Sequence, residues 1–254
     1  MKKILSVLLG VIMTISCMSG LGISAKAKKV VVNAPTMSAV TVPDINQLKV
    51  SWSKSAGAKG YQLYYSTNGK KWKKLTTTTK RSYTHKKLEE NTKYYYKVRA
   101  YKVVKGSKKY SKYSNIVTRR SSRYLMDMMS PYASNYCTEY RSWSNSDKFY
   151  MGGKGYTNGF TLGGSTWYSE FAIFNLKEKY SSITFTFGPV DDKNRSNTLE
   201  LYSDDELIQS YNIDANDLPK TVTIDTKNAN KFEFRMRDQH ANDYFGFANI
   251  KLNK

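Results

Sequence analysis

From Val30 onward, apolar residues recur at every second position. Leu48, Val50 and Trp52 share one side of QLKVSWSK, and Tyr61, Leu63 and Tyr65 share one side of GYQLYYST. A period of two sends successive side chains to opposite faces of a strand, so these runs predict short antiparallel strands. Gly-Ala, Asn-Gly and Gly-Ser pairs separate them, and Asn68-Gly69 predicts a hairpin turn because both residues tolerate positive φ. The alternation returns beyond Tyr124 in FAIFNL, SITFTFG, TLELYS, TVTID, KFEFRMR and FGFANIKL. Turn signals sit at Asp191-Asp192, Ser203-Asp204-Asp205, Asp217-Leu218-Pro219 and Asn228-Ala229-Asn230. About eight short strands in this last stretch predict a jelly-roll β-sandwich. No amphipathic helix is legible, so the expected fold class is all-β.

The first residues read as an address. Lys2 and Lys3 form a positive start, Ile4–Ile15 is a short apolar run, and Ala25-Lys26-Ala27 is an A-x-A cleavage site. Residues 1–27 are therefore expected to be a signal peptide, leaving a secreted or wall-associated chain rather than an integral membrane protein. Lipidation at Cys17 is disfavoured, since Thr14 stands where a lipobox has leucine. Cys137 is then the only cysteine of the mature chain, which excludes an internal disulfide.

Charge divides what remains. Residues 28–123 hold 24 Lys and Arg against 3 Asp and Glu, whereas residues 124–254 hold 14 against 17. The change falls at the basic stretch 119–123. The expected organisation is a first domain over 32–119, a basic linker at 120–123 and a second domain over 124–254.

In the first domain, VSWSK, GYQLYYS and the spacing of Leu88, Thr92 and Tyr94 resemble a fibronectin type III domain over about residues 34–118. The resemblance implies an immunoglobulin-like sandwich. It also implies that Tyr94 makes the tyrosine corner, its hydroxyl pinning the preceding loop. Tyr94 and Tyr96 then face the core, while Tyr95, Lys97, Arg99 and Tyr101 face solvent. Lys97 and Arg99, with Lys102, Lys105, Lys108, Lys109 and Lys112, form a surface that would collect polyanions. Read singly, each lysine is a solvated group guarding a sheet edge. The secretion signal argues against nucleic acid and favours phosphate-rich wall polymers. His85 has no clustered carboxylate partner, so no catalysis is expected here.

Over roughly 124–254 the chain carries, in order, YLMDM, FYMGGKGYTNGFTLGG, FNLKEKYSSITFTFGPVDD, LELYSDDELIQS, VTIDTKNANKFEFRM and FGFANIKL. By these pieces and their order this half resembles the NPCBM carbohydrate-binding domains. The resemblance implies a secreted β-sandwich that holds sugars. Sugar rings stack on aromatic faces, and their hydroxyls need planar polar partners. Trp143, Tyr156, Trp167, Tyr168 and Tyr244 supply rings, while Arg237, Asp238, His240 and Asp243 supply polar groups in RMRDQHANDYFGF. Two of the family's ligand positions depart from pattern. No histidine stands at Gly164–Trp167, and Gly246-Phe247 replaces an expected Asp-Trp. Trp167 is open between core and ligand platform. His240 with its aspartates lacks a nucleophile elbow, so no catalytic residues are assigned. No cofactor is expected; Asp191-Asp192 or Asp204-Asp205-Glu206 offer oxygen ligands for a structural Ca²⁺. The expected function is non-catalytic attachment to carbohydrate, aided by a basic module drawn to anionic wall polymer. The alternative is a protein-interaction scaffold whose sugar site is degenerate.

Overall fold

The computed structural model describes residues 31–141, 147–165, 167–193, 195–238 and 243–254. Residues 32–254 form one compact unit, and the chain is all-β. Eight strands form the first half: β1 (Thr41–Asp44), β2 (Gln47–Ser51), β3 (Gly60–Ser66), β4 (Lys73–Thr78), β5 (Ser82–His85), β6 (Lys93–Val104), β7 (Ser107–Tyr110) and β8 (Val117–Arg120). One sheet has the order β1-β2-β5; the other runs β4-β3-β6-β7, with β8 also on β6. The predicted alternation decides their facing sides. Leu48, Val50 and Trp52 on one sheet are buried against Tyr61, Leu63, Tyr96, Val98 and Ala100 on the other. Each fully buried aliphatic side chain there contributes about 1.5–3 kcal/mol.

The Glu89 N–H donates to the Tyr94 hydroxyl at 3.1 Å, which ties down the turn leading into β6. One facing assignment is corrected. Tyr101 is buried rather than solvent-facing, because its register partner is Gly60 and its ring lies over the space a side chain would fill there. The Asn68-Gly69 turn is longer than two residues. The Asn68 Oδ1 accepts from the N–H groups of Lys70 and Lys71 at 3.0 and 2.9 Å.

The stretch at 119–123 is partly interior. Ser121 and Ser122 are buried, and the Ser121 hydroxyl donates to the Glu89 carbonyl. The Asn46 N–H donates to Ser122 O at 3.0 Å, and the Leu252 N–H donates to Arg123 O at 3.1 Å. Asp44 receives the Tyr180 hydroxyl at 3.1 Å and pairs with the Lys254 ammonium at 2.8 Å.

The second half opens with a single turn of helix, α1 (Leu125–Met128). Its strands are β9 (Ala133–Asn135), β10 (Cys137–Tyr140), β11 (Phe149–Met151), β12 (Lys154–Tyr156), β13 (Gly159–Gly163) and β14 (Glu170–Asn175), then β15 (Ser182–Pro189), β16 (Asn197–Ser203), β17 (Glu206–Ile213), β18 (Lys220–Asp225), β19 (Lys231–Met236) and β20 (Tyr244–Asn253). Two five-stranded antiparallel sheets result, ordered β10-β13-β20-β15-β18 and β17-β16-β19-β14-β9. Their inner faces meet in a phenylalanine core. Phe234 sits edge-on to Phe160, Phe185 and Phe247 at 5.2, 5.1 and 5.4 Å. That edge-to-face geometry favours the ring quadrupoles.

The described strands outnumber the eight expected, because β9 to β12 are only three or four residues each. The β11–β12 hairpin covers the outer face of β20. A side chain at Gly246 would meet the Phe149 ring and the Met151 sulfur at 2.5 and 2.6 Å. No helix among the described residues is long and apolar enough to cross a membrane.

Candidate functional site

The described parts of three connections meet at one end of the second sandwich: 163–165 and 167–169 between β13 and β14, 190–193 and 195–196 between β15 and β16, and 237–238 and 243 between β19 and β20. Strand pairing brings them together. Gly163 pairs with Tyr244, and a Cβ at Gly163 would collide with the Asp243 carbonyl, so only glycine allows this approach. The Val190 N–H donates to Tyr244 O at 2.8 Å. Asn197 clasps Asp238 in both directions: its amide donates to Asp238 O at 2.9 Å, and the Asp238 N–H donates to its Oδ1 at 3.0 Å.

The first loop presents two rings. Trp167 is 81% exposed and Tyr168 62% exposed. Their backbone is held although their side chains are not. Ser165 is buried, and its hydroxyl accepts from the N–H groups of Trp167 and Tyr168 at 3.3 and 2.9 Å. The Ser165 N–H in turn donates to the buried Glu170 Oε1 at 2.8 Å. For Trp167, open between core and platform in the sequence, the structure gives the exposed position.

Beneath the loop lie two carboxylates, Glu170 and Asp243, each 1% exposed. Burial pushes the Glu170 carboxyl up to about 7, reinforced by the charge of Asp243 and opposed by the Ser165 N–H bond. The Arg195 guanidinium stands 3.8 Å from Asp243, and the Lys193 ammonium lies 5.4 Å from the centre of the Tyr244 ring. Arg195, Lys193 and Glu170 were not singled out in the sequence. Nothing local marks Arg195 and Lys193, which reach the site from a loop distant along the chain, and Glu170 reads in the sequence as an ordinary polar start of β14.

The other candidates are placed as follows. Arg237 leans back onto Glu200, with Nε donating at 2.6 Å. Tyr156 is buried, stacked with Phe149 at 5.7 Å in the β11–β12 hairpin. Trp143 and His240 lie outside the described residues. Thus Trp167, Tyr168, Asp238, Asp243 and Tyr244 share one end, with Arg237 at its edge. The Cys137 thiol is half-buried, and burial followed by the Glu139 charge pushes it up to about 12, which leaves it protonated.

The acidic turns have structural duties. The Asp191 carboxylate accepts from the Gly153 N–H at 2.9 Å, and the Asp204 carboxylate accepts from Asn230 and Lys231 N–H groups at 3.2 and 2.7 Å. Among the described residues, no group of three or more His, Cys, Asp or Glu side chains is placed to hold a metal.

On the first half, Lys97 is sandwiched between the Trp72 and Tyr113 rings at 4.0 and 4.2 Å. Arg99 lies over Tyr110 at 4.0 Å and donates twice to Gln62 Oε1, at 3.0 and 2.8 Å. Burial, then the Arg99 charge, lowers the Lys97 ammonium from its usual value. Lys108 lies over Tyr101 at 4.8 Å. Lys105, Lys109 and Lys112 are exposed, and Lys102 is partly so. His85 is ringed by Tyr65, Tyr94 and Tyr96, its Nδ1 being 3.0 Å from the Tyr96 hydroxyl.

Comparison with known proteins adds the following. Residues 33–117 match the fibronectin type III domain. No curated protein matches the chain. Among solved structures, the chain is similar to the CBM51-2 and INT domains of Clostridium perfringens ZmpB, at 14% identity over 62% of this chain and 37% of that one, with a TM-score of 0.41. It is also similar to the M60 catalytic domain with the CBM51-1 and CBM51-2 domains of the same protein, at 16% identity over 87% and 31% of the two chains, TM-score 0.42. A Fn3-like protein from Clostridium thermocellum is 26% identical over 35% of this chain and 92% of that one, TM-score 0.31. The chain thus spans about a third of the length of the two ZmpB structures.

Proposed function

We propose that this is a secreted, non-catalytic protein that attaches to carbohydrate through the three-loop end of its second half, an NPCBM-like sandwich. The observation that carries the reading is the pair of exposed rings, Trp167 and Tyr168, on a backbone pinned by Ser165 and Glu170. Exposing two large aromatics costs apolar hydration, and an apolar sugar face restores that burial. Arg195 and Asp238 on the neighbouring loops and Tyr244 at the start of β20 stand as hydrogen-bonding partners for hydroxyls. The first half serves as a basic module whose field draws the chain to anionic wall polymer.

The scaffold reading has its own support: Tyr156 and Asp243 are interior rather than presented. Glycan-array and wall-fraction binding by the full chain, beside Trp167→Ala, separates the two. Saturable binding that falls at least about tenfold in the variant is expected for a ring-stacking site. A chain that binds no glycan or wall fraction at physiological salt refutes the attachment reading and leaves the scaffold.

A further inference from the structure

We propose that the first half carries a discrete pocket for the phosphate or sulfate esters of an anionic chain, formed by Lys54, Lys59 and Arg81. This rests on the reading that this half attracts anionic polymer, and it states where the charged groups seat. A cavity of about 510 Å³ opens between the 53–59 turn and the 79–81 turn. Its lining includes these three cations and the hydroxyl residues Ser55 and Thr79, and no carboxylate. Lys54, Lys59 and Arg81 make no ion pair with any described residue.

The walls are held in place by backbone bonds. The Ser55 hydroxyl donates to Asn33 O at 2.6 Å, and the Ser55 N–H donates to the buried Tyr61 hydroxyl at 3.1 Å. The Lys59 N–H donates to Tyr101 O at 2.8 Å, and Arg81 O accepts from the Trp52 N–H at 3.0 Å. Gly57, with φ +65, turns tightly enough that the Lys102 ammonium lies 2.9 Å from where its Cβ would be, bringing a fourth cation to the rim. The backbone of this concavity is pre-formed, so the ordering cost of binding is confined to the exposed Lys54, Lys59 and Arg81 side chains.

The field there is unopposed. The carboxylates of residues 28–123 are Asp44, Glu89 and Glu90. All lie towards the second half: Asp44 pairs with Lys254, and Arg123 stands 3.8 Å from Glu90. Along β6, Lys93 pairs with Arg120 at that end, whereas Tyr101 pairs with Gly60 beside the pocket. Eight residues at about 3.3 Å each put roughly 26 Å between the two ends. That is about three Debye lengths at physiological salt, so the carboxylates do not neutralise the pocket. A guanidinium fork and two ammonium groups over a concave surface suit a tetrahedral oxyanion, which accepts from several donors at once.

The test uses the full chain and two probes, inorganic polyphosphate and dextran sulfate, titrated calorimetrically at about 0.15 M salt. Lys59→Gln/Arg81→Gln is compared with Lys108→Gln/Lys109→Gln, which removes the same charge from the β6–β7 hairpin. The pocket predicts a loss of about tenfold or more for the first pair and under about threefold for the second. The probe bound more tightly names the oxyanion, phosphate or sulfate. Lys54→Gln, which removes one lining cation and leaves the other two, gives an intermediate loss and covers the case in which the double variant unfolds. Equal losses for the two double variants overturn the pocket and leave a diffuse field. No binding by the unaltered chain overturns both.

Discussion

Glu170→Gln tests the buried carboxylate pair under the aromatic loop. Glu170 is 1% exposed, and its carboxyl is raised from 4.5 to about 7, first by desolvation and then by Asp243. A shift of this size is worth about 3 kcal/mol at 1.36 kcal/mol per pH unit. The folded chain holds this proton more tightly than the unfolded one. The contribution is therefore fully present below a pH of about 4.5 and is lost as pH rises through 7. Glutamine is neutral throughout and keeps an oxygen for the Ser165 N–H. Its new buried N–H group forfeits about 1 kcal/mol if left without an acceptor. The variant should be roughly 2 kcal/mol more stable than the parent at about pH 8 and roughly 1 kcal/mol less stable at about pH 4. His85 titrates with the opposite sign. Burial lowers its pKa, so its contribution is present above 6.5 and is lost as pH falls. Both proteins carry His85, so the difference between them isolates Glu170. Urea unfolding at several pH values reads it directly. Parallel curves for parent and variant, or a variant less stable at high pH, would refute the argument.

Further outcomes follow from single contacts. Tyr94→Phe leaves the Glu89 N–H without its acceptor and should cost about 1–2 kcal/mol in thermal unfolding; an unchanged transition would mean the hydroxyl pins nothing. Phe234→Ala opens a cavity among Phe160, Phe185 and Phe247 and should cost about 3–5 kcal/mol by denaturant titration. Trp167→Ala should change stability by less than about 0.5 kcal/mol, since the ring is 81% exposed, while glycan binding falls; a large stability loss would make the ring structural. Asp44→Asn removes the charge that Lys254 pairs with while leaving an Oδ1 for Tyr180, and should cost about 0.5–1 kcal/mol in urea unfolding, less in high salt.

The strand pattern was legible because burial on one sheet face imposes a period of two. Leu48, Val50 and Trp52 announce β2, and KFEFRM announces β19, without any knowledge of what they face. Tyr94 could be assigned to its loop because the run of Leu88, Thr92 and Tyr94 resembles a fibronectin type III domain, and its hydroxyl accepts from the Glu89 N–H. The three-residue strands β9, β11 and β12 carry too few alternations to stand out. Tyr101 shows the limit of the period: its burial depends on a missing Cβ on Gly60, a partner some forty residues away. From the sequence alone came the all-β class, the lopsided charge and the aromatic residues available for sugar. Tertiary structure decided which of them meet. It turned Trp167 and Tyr168 outward, took Tyr156 inward, set Arg195 beside Asp243 and gathered Lys54, Lys59 and Arg81 around one cavity. Burial period is a local property of the chain, whereas a site is a coincidence in space of loops whose approach is set by strand pairing between distant segments.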